Sequence, residues 1–240
     1  MTKLKARTIC TDPEWIGRAD CKHCGIRHMM LFSGFQDSDF DRILEPIDNL
    51  RFTERTQFYN QGSNDNKIYS LRSGYIKLVQ TQDDGSSRIV RVLGPGALVG
   101  LEALLDKPYR HTVIALSTLD VCRMTTATLK HLETEHPWLI DKVMKHWEQH
   151  LAFADRWISE LSTGTVRSRT LKLLKFLLEL NGDANNTVRF FGYEDMAAMI
   201  GTSRETFSRI IIELKDEGVI SKIKDSQIHR ISLNDASSFE

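Results

Sequence analysis

The sequence predicts an α+β chain: a small antiparallel roll or barrel, then a long helix, then a C-terminal winged helix-turn-helix. Three observations carry that prediction. Short apolar stretches, cut at regular spacing by turn signals, fill the middle of the chain up to Met124. From Pro137 to Ser162 apolar residues recur with a heptad period. From Tyr193 onward, two short amphipathic segments flank a single glycine, Gly201.

A length of 240 residues suits two domains better than one or three. A hydrophobic share of 41% is enough for ordinary globular cores. Formal net charge is +0 with pI near 7.1, so bulk electrostatics does not favour a nucleic-acid partner. The C-terminal third, from Thr163 on, is also balanced, with 11 Lys+Arg against 11 Asp+Glu. Any DNA contact must therefore come from where charges sit rather than from an excess of them. No apolar run approaches the roughly 20 residues that span a bilayer. Lys3, Lys5, Arg7 and Asp12 interrupt the N-terminus, which excludes a signal-peptide apolar core. A cytoplasmic chain without membrane contact is expected, in which cysteines stay reduced unless they hold metal or do redox chemistry.

The elements follow in order. Residues 1–36 form a cysteine-bearing segment of little periodicity, holding three of the four cysteines. Residues 37–136 form the roll domain, opening with a short helix from Asp37 to Leu50 that carries Phe40, Ile43, Leu44 and Ile47 on one face. Turn signals then fall at Asn60-Gln61-Gly62, Arg72-Ser73-Gly74, Asp83 to Ser86 and Gly94-Pro95-Gly96. Between them Tyr75 to Val79 and Arg88 to Leu93 read as strands joined by a hairpin at Asp84-Gly85. Residues 137–162 are the long helix, with Pro137 suited to its first turn. Ile140, Trp147, Ala154 and Leu161 share the heptad position, and Val143 or Met144, His150 or Leu151, and Trp157 or Ile158 fill the seam between. Such a stripe is either the seam of a two-chain coiled coil or a helix lying on its own barrel. As a homodimer interface it would comprise Ile140, Val143, Trp147, Leu151, Ala154, Ile158 and Leu161. Residues 163–240 begin at the break Thr163-Gly164-Thr165. They continue as a helix from Arg167 to Leu180, loop through Asn181-Gly182-Asp183, and end in a two-stranded wing from Lys222 to Ser232 turning at Asp225-Ser226.

Within that last segment Tyr193 to Ile200 is a short helix with Met196, Ala197 and Ile200 inward. Gly201 supplies the tight turn, and Thr202 or Ser203 caps the next helix, Thr202 with Glu205 fitting a capping box. Phe207, Ile210, Ile211 and Leu214 face inward until Gly218 stops the helix. Arg204, Glu205, Ser208 and Arg209 are left outward at the helix start, where recognition helices meet base edges. Arginine bonds bidentate to guanine O6 and N7, glutamate accepts from cytosine N4, and serine adapts to either. The competing reading is a helix pair without DNA function, in which Glu205 merely caps its own helix.

The segment IGTSRETFSRIIIELKDEGVI, Ile200 to Ile220, resembles the recognition segment of the CRP/FNR superfamily of dimeric transcription regulators. The likeness extends over nearly the whole chain from about Asp37. It implies a β-roll like that of cyclic-nucleotide-binding domains, a dimerisation helix and a winged helix-turn-helix. It also implies a homodimer on a palindromic promoter site in double-stranded DNA, with RNA polymerase as a further partner. Glu205, Ser208 and Arg209 match the base-reading residues of the FNR branch, which implies a TTGAT-like half-site. Arg204 matches the cyclic-AMP receptor's pattern instead, but Ser208 stands where that type has glycine. The superfamily's nucleotide pocket uses a Gly-Glu pair and an Arg-Ser pair. Here the corresponding stretches are Gly100-Leu101-Glu102 and Tyr109-Arg110-His111. Leu101 replaces the ribose-binding glutamate and His111 the serine, which argues against cyclic-nucleotide binding.

The cysteines are Cys10, Cys21, Cys24 and Cys122. The stretch DCKHCGIRHMMLF, Asp20 to Phe32, resembles the N-terminal cluster motif of FNR-type oxygen sensors. That resemblance implies a [4Fe–4S] cluster sensitive to oxygen or nitric oxide, with Cys21, Cys24 and Cys122 as ligands. The family's third N-terminal cysteine would fall at Met30 or Phe32, neither a strong ligand, so Cys10 would have to substitute. Other readings stay open: a Cys21–Cys24 redox disulfide, a zinc site completed by His23 or His28, a motif without cofactor, or haem on one of His111, His146 and His150. A small-ligand-binding roll and a thiol–disulfide enzyme built on Cys21 to Cys24 are the competing functions. No nucleophile–base constellation or glycine-rich phosphate loop is present, so an enzyme is not expected.

Overall fold

A computed structural model describes residues 13–43, 45–181, 186–223 and 227–232. Two compact units form. Among the described residues, one is built from the stretch up to Ser87 together with Val92–Leu151, the other from those after Leu151 together with Arg88–Arg91.

The first unit holds two antiparallel sheets. Strands β1 (Glu14–Arg18), β2 (Asp48–Phe52), β4 (Lys67–Ser73), β7 (Leu98–Val99) and β9 (Leu119–Thr125) form a sheet ordered β1-β2-β9-β4-β7. Strands β3 (Gln57–Tyr59), β5 (Ile76–Thr81), β6 (Ser87–Leu93) and β8 (Thr112–Ala115) form the other, ordered β3-β8-β5-β6. Aromatic rings join the sheets: Phe52 stacks on Phe58 at 4.0 Å, and Tyr59 lies 5.8 Å from Tyr69. The inner strand β4 is buried from Ile68 to Leu71 on both faces, in keeping with Ile68, Tyr69 and Leu71. At Gly74 the chain turns with φ +79°, and a Cβ there would lie 2.4 Å from Leu119 Cβ and 2.6 Å from the Thr118 carbonyl. Only glycine fits. At the sheet's end, β1 pairs with β2 through a register shift between Trp15 and Gly17.

The helix expected from Asp37 to Leu50 is not there. A 3₁₀ turn covers Asp37–Arg42, its first turn closed by a reciprocal cap between Gln36 and Asp39, and β2 already begins at Asp48. Pro46 explains the difference, because it removes an N–H and pushes its predecessor toward extended backbone. The spacing of Phe40, Ile43 and Ile47 instead serves a core that also takes Met30, Leu31, Phe32, Phe35, Leu132, Leu139 and Val143. Helix α1 (Thr126–Glu135) follows β9 directly, with the Thr125 hydroxyl accepting from the Thr128 N–H. Helix α2 (Leu139–Leu161) starts two residues after Pro137, which lies in the turn before it.

In the second unit, α3 (Val166–Asn181) buries Leu171, Leu173, Leu174, Phe176 and Leu177. Arg156 of α2 bonds Glu160 at 3.0 Å and both carboxylate oxygens of Glu179, while its guanidinium lies 5.8 Å from the Phe176 ring. Helices α4 (Tyr193–Met199) and α5 (Arg204–Asp216) then precede the two antiparallel strands of the wing, to which a third strand from before α4 is added. Strand β10 (Thr187–Arg189) joins β11 (Ile220–Lys222) and β12 (Ile228–Ile231) in the order β10-β12-β11. The turn expected at Asp225-Ser226, and Gly182 and Asp183 of the preceding loop, lie outside the described residues.

Candidate nucleic-acid interface and thiol pocket

The α4–α5 pair is built by local chemistry. Glu194 and Asp195 occupy the first turn of α4, where negative charge complements the helix dipole. Met196, Ala197 and Met199 are buried. The helix ends in a Schellman pattern: Gly201 N–H donates to the Ala198 carbonyl at 3.3 Å and Thr202 N–H to the Ala197 carbonyl at 3.0 Å. Gly201 takes φ +65°, the left-handed conformation that such a turn needs. Ser203, rather than Thr202, caps α5, its hydroxyl accepting from Thr206 N–H at 3.2 Å. The Thr202–Glu205 capping box is therefore replaced by a Ser203 cap one residue later. Phe207, Ile211 and Leu214 are buried, Ile210 is half-buried, and Glu217 and Gly218 end the helix.

Arg204, Glu205 and Arg209 are exposed on the first turns of α5, and Ser208 is half-buried beside them. Hydrogen bonds from its own backbone N–H and from Ser203 hold the Glu205 carboxyl below the usual range, so it is an ionised acceptor. The face thus offers two forked donors, one carboxylate and one hydroxyl, a set able to read base edges in a major groove.

Helix α2 divides its apolar residues between two faces. Val143 and Leu161 of the expected seam are buried within the chain, and so is Trp157. They are already covered, which takes Val143 and Leu161 out of an outward stripe. Ile140, Met144, Trp147, Leu151 and Ile158 are exposed, Leu151 at 63% and Ile158 at 65%, and Ala154 is half-buried.

The thiols meet in the first unit. Cys21, Cys24 and Cys122 line one small apolar pocket, with Arg27, Met30, Leu31, Phe32, Ser70 and Arg72 among its other walls. Cys21 and Cys24 lie on the turn that follows β1, where Arg27 N–H donates to the Cys24 carbonyl at 3.0 Å. Arg27 fastens this turn down: it donates to Asp37 at 2.9 Å and to the Lys22 and Phe35 carbonyls at 3.3 Å, and lies over Phe40. Lys22 adds an ion pair to Asp41 at 2.7 Å. Cys122 comes from β9, opposite Ser70 on β4 and Asn49 on β2, and its S–H donates to Asn49 Oδ1 at 3.4 Å. Burial, and then the neighbouring Cys24, push the Cys21 thiol up to about 11; burial, and then Cys21, push Cys122 up to about 12.

The donors suit a soft metal in kind, being thiols around one pocket, but as arranged they do not close a site. Among the described residues no group of three or more His, Cys, Asp or Glu is placed to hold a metal ion. Cys10 lies outside the described residues. Met30 and Phe32, where the family's third cysteine would fall, are both buried in the pocket wall. His23 turns to Asp20 at 2.9 Å and His28 is exposed, so neither lines the pocket. Ser70 and Arg72 escaped the sequence reading because only the β4–β9 register, across some fifty residues, puts Ser70 opposite Cys122.

At the stretch matching the nucleotide site, Leu101 is buried in the core and Arg110 is exposed. The Tyr109 hydroxyl donates to the Lys67 carbonyl at 2.7 Å, and His111 lies 3.9 Å from Glu102. No helix among the described residues is long and apolar enough to cross a membrane.

Residues 50–136 match the family pattern of the cyclic nucleotide-binding domain, and residues 171–238 that of the Crp-like helix-turn-helix domain. The cyclic AMP receptor protein of Thermus thermophilus is 27% identical over 191 residues, covering 79% of this chain and 87% of that protein. The anaerobic regulatory protein of Pasteurella multocida is 23% identical over 206 residues, 84% of this chain and 76% of that protein. A CRP-family transcriptional regulator from Thermus thermophilus, of known crystal structure, superposes with a TM-score of 0.63 at 24% identity. That superposition covers 75% of this chain and 90% of the other, and shows the shared fold.

Proposed function

Since this chain is a DNA-binding transcription regulator of the CRP/FNR type, we propose that it reads a TTGAT-like palindrome as a homodimer under the control of an iron–sulfur cluster. The observation that carries the reading is the exposed set Arg204, Glu205 and Arg209, with Ser208 between, on the capped first turns of α5. Arginine and glutamate in that position discriminate guanine and cytosine edges, each good pair being worth about 1–3 kcal/mol against the wrong base. The outward stripe of α2, Ile140, Met144, Trp147, Leu151 and Ile158, supports pairing of two chains along this helix. Pairing would set two recognition helices about one DNA turn, roughly 34 Å, apart. The regulator acts in the cytoplasm, where RNA polymerase is its further partner, and it is not an enzyme.

Cys21, Cys24 and Cys122 would hold a [4Fe–4S] cluster, with Cys10 as the fourth ligand. When bound, the cluster supplies a group that oxygen or nitric oxide can destroy. The chain's own part is to hold the Cys21–Cys24 turn against Phe40 and Asp37 through Arg27, and to keep the pocket dry with Met30, Leu31 and Phe32. The likeness to an anaerobic regulatory protein supports this branch. A cyclic-nucleotide-responsive roll is the second reading, supported by the domain match, but the buried Leu101 stands where a ribose-binding carboxylate would be needed.

The test is gel-shift binding to a TTGAT palindrome by protein purified without oxygen, before and after air, with iron and sulfide assays alongside. Binding that disappears with the cluster is expected, and Glu205→Gln should lower discrimination at the cognate cytosine roughly tenfold. Absence of binding in every redox state would reject the reading.

A further inference from the structure

We propose that Arg169 is a positioning residue for the DNA-reading helix, clamping the turn that sets α5 against α4, while Arg167 holds the far end of α5. The proposal rests on the reading above that α5 enters DNA, and adds how its angle is held.

The argument begins in α3. Its buried leucines fix this helix in the core of the second unit, so its first turn is a firm base. From that turn Arg169 Nη1 donates to the Ile200 carbonyl at 2.6 Å. Ile200 is the C-cap of α4, and helix-end carbonyls have no partner within their helix. The Schellman bonds take up the Ala197 and Ala198 carbonyls and leave that of Ile200 to Arg169. A cation is also favoured at a helix C-terminus. The same Nη1 lies 3.7 Å from where a Cβ on Gly201 would stand, so the guanidinium covers the tight turn itself. Ser203, the cap of α5, is only two residues further on.

Arg167 completes the arrangement. It pairs with Glu217, the C-cap of α5. Both ends of the path through α5 are thus tied to the first turn of one buried helix. The Arg169 side chain also carries a cost, since its Nε–H is buried without a hydrogen-bond partner among the described residues. A side chain whose only task was to satisfy one carbonyl would not need that buried donor. The rigid fork of a guanidinium sets direction as well as distance, which suits a residue that orients the Ile200–Gly201 turn.

The experiment uses the full-length protein as purified without oxygen and two duplexes, the TTGAT palindrome and the same duplex with one base changed in each half-site. Affinities are measured over a range of salt for wild type, Arg169→Met, Arg169→Lys and Arg167→Gln. In Arg169→Met the preference for the palindrome should fall about tenfold, the loss of roughly one good base contact. The slope of log affinity against log salt should stay as in wild type, because no phosphate contact is lost. Arg169→Lys should recover part of the preference, and Arg167→Gln should show a smaller fall. An equal loss on both duplexes with a salt slope reduced by about one would make Arg169 a phosphate contact and overturn the proposal. So would an unchanged preference with only a lower unfolding midpoint. If Arg169→Met fails to fold by circular dichroism, the same ratio in Arg169→Lys and Arg167→Gln decides. Failure of the wild type to bind either duplex rejects the underlying DNA reading instead, and is seen before any variant is compared.

Discussion

Phe32→Cys puts the cluster reading to its sharpest test. Phe32 is 6% exposed and lines the pocket shared by Cys21, Cys24 and Cys122. Its ring packs 5.0 Å from Phe35 and 6.2 Å, edge on, from Phe40. Truncating a buried phenylalanine to alanine costs about 3–5 kcal/mol, and a cysteine keeps some of the volume, so about 3 kcal/mol is expected here. For a chain of this size that lowers the unfolding midpoint by roughly 6–12 °C in the metal-free protein. Against this loss the variant adds a thiol to the wall where the family's third cysteine belongs. The assay is iron and sulfide content of four proteins made without oxygen: wild type, Cys10→Ala, Phe32→Cys and the double variant. Cys10→Ala should lose its iron, and the double variant should regain about four irons and four sulfides per chain. A double variant without iron, or a Cys10→Ala protein that keeps its full complement, would refute the assignment of ligands. An unfolding midpoint unmoved by Phe32→Cys would refute the packing argument.

Two further predictions concern the scaffold. Gly74→Ala combines a left-handed φ with a Cβ 2.4 Å from Leu119 Cβ, and should destabilise the first unit by about 3 kcal/mol or more, read by urea unfolding. A change below about 0.5 kcal/mol would mean the turn relaxes freely. Leu151→Glu and Ile158→Glu alter exposed positions of α2 and should leave the monomer's stability within about 0.5 kcal/mol. They should nonetheless shift sedimentation toward monomer, and unchanged sedimentation would remove α2 as the pairing surface.

The parts legible in the sequence are those whose contacts are local. The α4–α5 pair is closed by bonds among neighbouring residues, from the Gly201 turn to the Ser203 cap, so the helix–glycine–helix pattern is enough to find it. Even there the sequence leaves the cap open between Thr202 and Ser203, because both offer the same hydroxyl and only backbone geometry chooses Ser203. Non-local pairing was hidden. Strand β10 escapes notice because its partner is β12, with Thr187 opposite Arg230. Asp48 to Leu50 reads as the end of a helix until Asn49 is seen opposite Cys122 in β9. On α2 the heptad places Val143 and Met144 equally well, and packing against Leu139 and Leu132 is what takes Val143 inward. For the thiols, the Cys21–Cys24 spacing is visible along the chain. The Met30 to Phe32 wall that closes over them exists only once the chain has folded.

The irregular pairing at the start of the five-stranded sheet limits how copies of this chain can meet. Among the described residues β1 is the terminal strand, with Glu14 and Arg18 at its two ends. Its register slips between Trp15 and Gly17, and Gly17 takes φ +117°. A strand approaching from another molecule would find the row of donors and acceptors out of phase after two residues, and charge at each end. Growth of the sheet from molecule to molecule is thereby discouraged, so that copies of this chain meet through other surfaces than this edge.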